Sequence, residues 1–175
     1  LNNYMVIWII GLSGAGKTTL ANEILTKISK HKSNVVLLDG DIIRDVFGND
    51  LSHSIDDRLI NAQRINRLCK ILDDQNIHVV CSILSLFPES RNWNRQNINN
   101  YFEVYIDAPM AQLQKRDYKG IYKQYNEGKI KDVAGIDIEF IPPENPDLII
   151  NNHGSIDSLL IHASFLSNLL KESDF

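Results

Sequence analysis

The sequence predicts a three-layer α/β fold, with a five-stranded parallel sheet covered by helices on both faces and a lid over one end. Three observations carry that expectation. The unbroken apolar run Met5–Ile10 reads as a strand buried on both sides. The stretch Gly11-Leu12-Ser13-Gly14-Ala15-Gly16-Lys17-Thr18 follows it at once, and Leu20, Ile24 and Ile28 then recur on one helical face. Short apolar runs alternate with helical patterns through the rest of the 175 residues.

The glycine stretch fits G-x-x-x-x-G-K-[ST], the phosphate-binding loop of P-loop nucleotide enzymes. Gly11, Gly14 and Gly16 let the backbone fold around a phosphate chain, and with Ser13 and Ala15 they turn successive N–H groups inward. The helix that follows adds partial positive charge at its N-terminus. Lys17 can reach the outer phosphates of ATP, and the Thr18 hydroxyl can hold Mg²⁺, with Thr19 next in line on the same turn. A glycine turn that matches by accident is the alternative; the strand before and the helix after argue against it. The fold class is thus a three-layer P-loop NTPase, nucleoside-monophosphate-kinase-like.

Asn34–Leu38 reads as the second buried strand, ending at Asp39-Gly40-Asp41. Acidic residues there sit where open α/β sheets bind ligands. One carboxylate can hold Mg²⁺ through water, and the other can accept a proton from a substrate hydroxyl. The alternative is a plain turn in which Asp41 caps a short helix from Ile42. Arg44 and Arg58 are candidate anion clamps or solvated surface. A long helix is expected over Ile55–Asp74, with Ile55, Leu59, Ala62, Ile65, Cys69 and Leu72 as its buried stripe. Arg58, Asn61 and Arg64 share an adjacent face that can line a groove or stay wet.

Further along, Ile77–Leu84 reads as a strand with Ser85 at its end, Pro88–Asn97 as a helix, Phe102–Ile106 as a strand, and Met110–Arg116 as a helix. Residues 117–146 are polar and irregular, with Lys119, Lys123, Lys129 and Lys131, as a mobile lid would be. An ordinary surface excursion is the alternative. Leu148–Ile150 is the last strand. The final helix starts at Ser155, with Ile156, Leu159, Leu160, Ala163, Leu166 and Leu170 as its packing face.

The length suits one domain spanning 1–175, with a lid at about 117–146. A net charge of −4 gives no general case for nucleic acid binding. Cys69 and Cys81 lack metal or redox spacing, so buried thiols in a reducing cytoplasm are expected. The first apolar run is too short for a membrane span and lacks the basic flank of a signal peptide. The histidines show no metal-like spacing, and Trp8 and Trp93 read as packing residues.

Five stretches together resemble the adenylylsulfate kinase family over roughly residues 5–152: GLSGAGKTT from Gly11, LDGD from Leu38 with Arg44, DRLINAQRI from Asp57, RDYKGIYKQYNEGKIK from Arg116, and GID with PENPDLII from Gly135. The resemblance implies an ATP- and Mg²⁺-dependent kinase that phosphorylates a ribose 3′-hydroxyl, acts on small-molecule nucleotides and pairs as a homodimer. It implies that Lys17 and Thr18 handle ATP phosphates and Mg²⁺, and that Asp39 and Asp41 organise metal and acceptor hydroxyl. It implies that Arg44, Arg58 and Asn61 hold the acceptor, with Ser85 at the end of the strand lining that pocket. Arg116 and Lys119 come onto phosphates, and Lys131 reaches the acceptor.

The chain departs from the family at the acceptor. His53 and Val133 stand where the family has two phenylalanines that sandwich adenine, and Leu86-Phe87-Pro88 stands where it has Pro-Tyr-Arg. Base stacking on an aromatic face contributes roughly 1–3 kcal/mol. Losing two faces and an arginine points to a smaller base and a different 5′ group. Cytidine 5′-diphosphoramidate, an acceptor used within this wider group, fits better than adenylylsulfate. Two other classes are weighed. A GTPase-like switch needs D-x-x-G at a core strand, whereas Asp117–Gly120 and Asp132–Gly135 lie in the lid, and no N-K-x-D occurs. A non-catalytic nucleotide sensor conflicts with intact Lys17, Thr18, Asp39 and Asp41.

Overall fold

The computed structural model describes residues 4–172. Its sheet has five parallel strands, β1 (Val6–Ile10), β2 (Val35–Asp39), β3 (His78–Ile83), β4 (Tyr101–Asp107) and β5 (Leu148–Asn151), in the order β2-β3-β1-β4-β5. The helices are α1 (Lys17–Ile28), α2 (Gly40–Val46), α3 (Ile55–Asp74), α4 (Pro88–Asn97), α5 (Met110–Arg116), α6 (Ile121–Asn126) and α7 (Ile156–Glu172). The chain runs outward from β1 to β2, then crosses back over β1 to reach β4. That reversal opens a crevice at the carboxyl ends of the central strands.

The two-residue period of β1 divides the core. Ile7 and Ile9 join Leu20, Ile24 and Ile28 of α1 and Leu159, Leu166 and Leu170 of α7 on one face. Val6, Trp8 and Ile10 join Ile65 and Cys69 of α3 on the other. This packing explains how α1 tolerates a poor start. Gly16 precedes it with no side-chain cap, and no acidic residue sits in its first turn. A missing cap costs about 1 kcal/mol, whereas each buried leucine or isoleucine contributes roughly 1.5–3 kcal/mol. The helix therefore holds from its apolar face, and its positive end stays open to an anion.

α3 spans the expected residues, and Ser54 caps it by accepting from Asp57 N–H. Its buried stripe differs from the expectation. Ile55 is 51% exposed, while Asn61, Asn66 and Asp73 are buried. The reason is a polar seam with the neighbouring elements: Asn66 Nδ2 donates to Ser90 Oγ at 2.6 Å, and Asp73 accepts from Asn99 N–H at 3.1 Å. Ile156 likewise leaves the packing face of α7, at 56% exposed, because it lies at the helix mouth before the stripe meets α1. Cys69 and Cys81 are free and buried. Among the described residues, no helix is long and apolar enough to cross a membrane.

Residues 117–146 are less irregular than their composition suggests. They contain α6, and an isolated bridge joins Ala134 to Ile138. The Asp117 carboxylate organises α6 by accepting from the N–H groups of Tyr122 at 3.2 Å and Lys123 at 2.9 Å. Gly135 then brings the segment back against the glycine loop. Its φ is +84°, and a Cβ there would stand 2.8 Å from Leu12 Cδ1 and 2.9 Å from Met110 Cε. Gly135→Ala is expected to destabilise the fold by about 1–3 kcal/mol, the cost of a strained left-handed residue plus the displaced side chains. The check is a lowered urea midpoint with an unchanged denaturant slope.

Candidate active site

A cavity of about 550 Å³ lies at the carboxyl ends of β2 and β3, between the glycine loop, α2, α3 and residues 119–134. Lys17, Thr18, Asp39, Asp41, Arg44, Arg58, Asn61, Ser85, Lys119 and Lys131 all line it, with Ser13 at its edge. Residues more than a hundred positions apart meet there because parallel strands end on the same rim.

The glycine loop takes its shape from Gly14 (φ 80°) and Gly16 (φ 100°), both left-handed. At Gly16 a Cβ would lie 2.6 Å from Leu159 Cδ2, so the close approach of α7 also demands glycine. Lys17 Nζ donates to Leu12 O at 3.0 Å. Thr18 Oγ1 donates to Asp39 Oδ2 at 2.9 Å and lies 3.5 Å from Ser82 Oγ. The Lys17 ammonium has its pKa lowered to about 8, first by burial and then by the Lys119 charge; Asp39 and Asp41 only partly counter this.

The two carboxylates have different surroundings. Asp39 is 7% exposed and uses both oxygens, one for Thr18 and the other for Asp41 N–H at 3.0 Å. That second bond makes Asp39, not Asp41, the cap of a short helix, and α2 begins at Gly40 rather than Ile42. The Asp41 carboxylate is left to face the cavity, where it pairs with Lys119 from the segment between α5 and α6. Burial pushes its pKa up, but the hydrogen bond and charge of Lys119 outweigh that and hold it below the usual range.

On the opposite wall, Arg44 donates to the carbonyls of Leu51 at 3.3 Å and Ser52 at 3.0 Å. Arg58 bridges two walls, donating to His53 O at 2.7 Å and Asp132 O at 2.9 Å. Burial, then the neighbouring Arg44 charge, lower its pKa, so the two cationic side chains lie within reach of each other's field. Asn61 is buried, with Oδ1 lacking a partner. Arg64 is on the wet side of the alternative: it pairs with Asp50 at 2.8 and 2.7 Å and stacks over Phe47.

His53 and Val133 both line the cavity. Burial, then Arg44 and Arg58, lower the His53 pKa, so its ring is neutral at neutral pH. Ser85 sits at the end of β3 with φ 56°, held by Trp8 Nε1 on its Oγ at 3.1 Å and by Arg91 on its carbonyl at 2.6 Å. Trp8 is thus both packing and support. A buried indole N–H needs an acceptor, which is the signal that could have flagged it.

Other expected residues lie outside the cavity lining. Gly11 is buried beneath the loop, where a Cβ would meet Ala15 Cβ and Ile106 O at 3.0 Å each. Thr19 is exposed on the first turn of α1. Arg116 ends α5 and donates to Asn152 O at 3.2 Å and Gly154 O at 3.1 Å. Four residues had no sequence signal: Ser82 beside Thr18, Arg91 under Ser85, Tyr122 on Ser13 O, and Asn152 on Ala15 O. Only tertiary packing brings them in. The two D-x-x-G strings make local hydrogen bonds: Asp117 organises α6, and Asp132 N–H donates to Asp137 at 2.9 Å.

The residues present fit Mg²⁺. Among the described residues no cluster of three or more His, Cys, Asp or Glu side chains could hold a metal alone. Mg²⁺ asks for less, because water and substrate phosphates fill most of its octahedron. A hydroxyl and a carboxylate 2.9 Å apart, Thr18 and Asp39, are enough beside a phosphate loop.

The sequence pattern of adenylylsulphate kinase matches residues 3–151. A cytidine diphosphoramidate kinase from Campylobacter jejuni is 38% identical over 151 residues, covering 86% of this chain and 88% of that protein. An adenylyl-sulfate kinase from Clostridium kluyveri is 35% identical over 152 residues, covering 86% and 76%. The structure of the Mycobacterium tuberculosis APS kinase in complex with AMPPNP and APS superposes with a TM-score of 0.85 at 31% identity, covering 96% of this chain and 98% of that one. With the glycine loop, the acidic pair and residues 119–134 meeting at one cavity, the chain belongs to the adenylylsulfate kinase family of P-loop phosphotransferases.

Proposed function

We propose that this kinase transfers the γ-phosphoryl group of ATP to the ribose 3′-hydroxyl of cytidine 5′-diphosphoramidate, giving the 3′-phospho nucleotide. The observation that carries the reading is the single cavity in which the glycine loop and the acidic pair face two arginines. Donor phosphates fit against Lys17 and the open end of α1, and the acceptor's diphosphate-like group fits between Arg44 and Arg58, with Asn61 beside them. Lys119 and Lys131 add charge from the lid segment. Thr18 and Asp39 would hold Mg²⁺, which neutralises charge on the transferred group when bound.

Asp41 is the group assigned to the acceptor hydroxyl, because Asp39 is already committed to Thr18 and α2. A carboxylate held ionised is a weak base, but phosphoryl transfer asks mainly for orientation and charge neutralisation. Lys119 is placed to leave Asp41 for the incoming phosphate.

The choice of acceptor rests on the walls at residues 53 and 133. An imidazole and an isopropyl group offer less stacking surface than two benzyl rings. That supports a pyrimidine over adenine, and the identity to a cytidine diphosphoramidate kinase supports the same choice. Adenylylsulfate is the second reading, favoured by the relatives that act on it by name.

An ADP-release assay with both acceptors side by side is expected to give a higher kcat/KM for cytidine 5′-diphosphoramidate. Preference for adenylylsulfate would reverse the acceptor choice and leave the kinase intact. Lys17→Ala and Asp41→Ala are each expected to lower kcat at least about 100-fold, with circular dichroism unchanged. Near-normal turnover in the Asp41 variant would remove it from the acceptor hydroxyl.

The position of the Lys17 pKa, about 8, sets a pH dependence. Below it Lys17 carries the charge that phosphate needs; above it the free enzyme loses that charge. ADP affinity by calorimetry is therefore expected to be level on the acid side and to fall as pH rises through about 8. The Lys17→Ala variant is expected to lack the break.

A further inference from the structure

Two side chains reach the glycine loop from outside and take hold of its carbonyls. The Tyr122 hydroxyl donates to Ser13 O at 2.9 Å, and Asn152 Nδ2 donates to Ala15 O at 2.8 Å. A peptide unit is planar and trans, so its C=O and the next N–H point in opposite directions. No peptide bond among the described residues is cis. Drawing Ser13 O toward Tyr122 therefore turns Gly14 N–H away from it. Drawing Ala15 O toward Asn152 turns Gly16 N–H away likewise. Both are amides of the loop whose inward N–H groups bind phosphate.

Both holders are fixed in place. Tyr122 is 1% exposed, and its ring packs in the core with Leu113 and Val133. Burial, with Asp117 nearby, pushes its hydroxyl up to about 12, so it remains a donor at ordinary pH. Asn152 is 3% exposed, and its Oδ1 accepts from Arg116 at 3.4 Å, which leaves Nδ2 for Ala15 O.

The two differ in where they come from. Asn152 directly follows β5, on the rigid sheet. Tyr122 lies on α6, whose neighbours Lys119, Ile121 and Gln124 line the cavity.

We propose that Tyr122 and Asn152 are positioning residues for the donor nucleotide, and that Tyr122 makes the set of the glycine loop depend on the seating of α6. Neither is among the residues lining the cavity. The inference rests on donor phosphates lying in the glycine loop and is independent of the acceptor. Coupling of this kind is reciprocal. If α6 improves the grip on phosphate, phosphate in the loop must stabilise α6 by the same factor.

The test uses the full chain with Tyr122→Phe, which removes one hydroxyl and keeps the ring, and Asn152→Ala. Loss of one hydrogen bond is expected to raise the ADP Kd about 3- to 10-fold in each, while the acceptor KM stays within about twofold. Hydrogen exchange separates them. ADP is expected to slow amide exchange across α6 in the wild type and in Asn152→Ala, and to lose most of that effect in Tyr122→Phe. Wild-type ADP affinity in Tyr122→Phe, or equal shifts in donor and acceptor KM, would overturn the proposal while sparing the donor site. Failure of the wild-type chain to bind ADP would overturn the donor-site reading and this one with it.

Discussion

Thr18 Oγ1 donates to one oxygen of Asp39 while Asp41 N–H donates to the other. A single buried carboxylate thereby joins the first turn of α1, the end of β2 and the start of α2. A carboxylate at 7% exposure is costly unless its oxygens are paired, so neither bond can be given up cheaply. The direction in which α2 leaves the sheet follows from this junction. So does the placement of Asp41 and Arg44, which ride on that helix. The register of β2 against β3, with Asp39 opposite Ser82, brings a second hydroxyl to the same spot.

The charge in the cavity opposes the charge of the chain. Five cationic side chains, Lys17, Arg44, Arg58, Lys119 and Lys131, line it with three carboxylates, Asp39, Asp41 and Asp132. The chain as a whole carries −4. A concave site where cations outnumber carboxylates, on a chain that is negative as a whole, suits a small anion. The lowered pKa of Lys17 comes first from burial of its ammonium and then from the Lys119 charge, with Asp39 and Asp41 acting the other way. In the proposed reading, incoming phosphate adds negative charge beside Lys17, Arg44 and Arg58, where cations outnumber carboxylates.

The donor half of the site was legible because its rules are local. Glycines at positions that need positive φ, a lysine and a threonine at fixed spacing, and a strand before them define the loop in one short stretch. Sheet order was not legible in the same way, but the rim it builds was, since residues after parallel strands share an end. What escaped was contact between distant elements. Nothing in the sequence around Tyr122 marks its hydroxyl for Ser13 O, and Arg91 reads as one more surface arginine until it is found under Ser85. The alternative in which Asp41 caps a short helix arose because the pattern cannot show which of two acids turns back on the chain; Asp39 does. Ile55 and Ile156 kept the helical period yet fall at helix ends, where the stripe has nothing to face.

The two halves of the site also differ in how freely they can change. The phosphate loop binds through backbone amides, and its glycines are fixed by contacts such as Gly16 against Leu159, so substitution there disturbs the fold as well as the chemistry. The wall proposed for the acceptor is assembled from side chains on the α2–α3 connection, the end of β3 and residues 130–134, and its members differ in how far they are tied to the core. His53 is exposed, whereas Val133 is buried in the core and its N–H donates to Asp137. A family built like this keeps its phosphoryl-transfer chemistry while its acceptor drifts. That accounts for relatives of nearly equal identity that are named for different nucleotides. Overall identity therefore marks the family, while in the proposed reading the few side chains facing the base choose the acceptor.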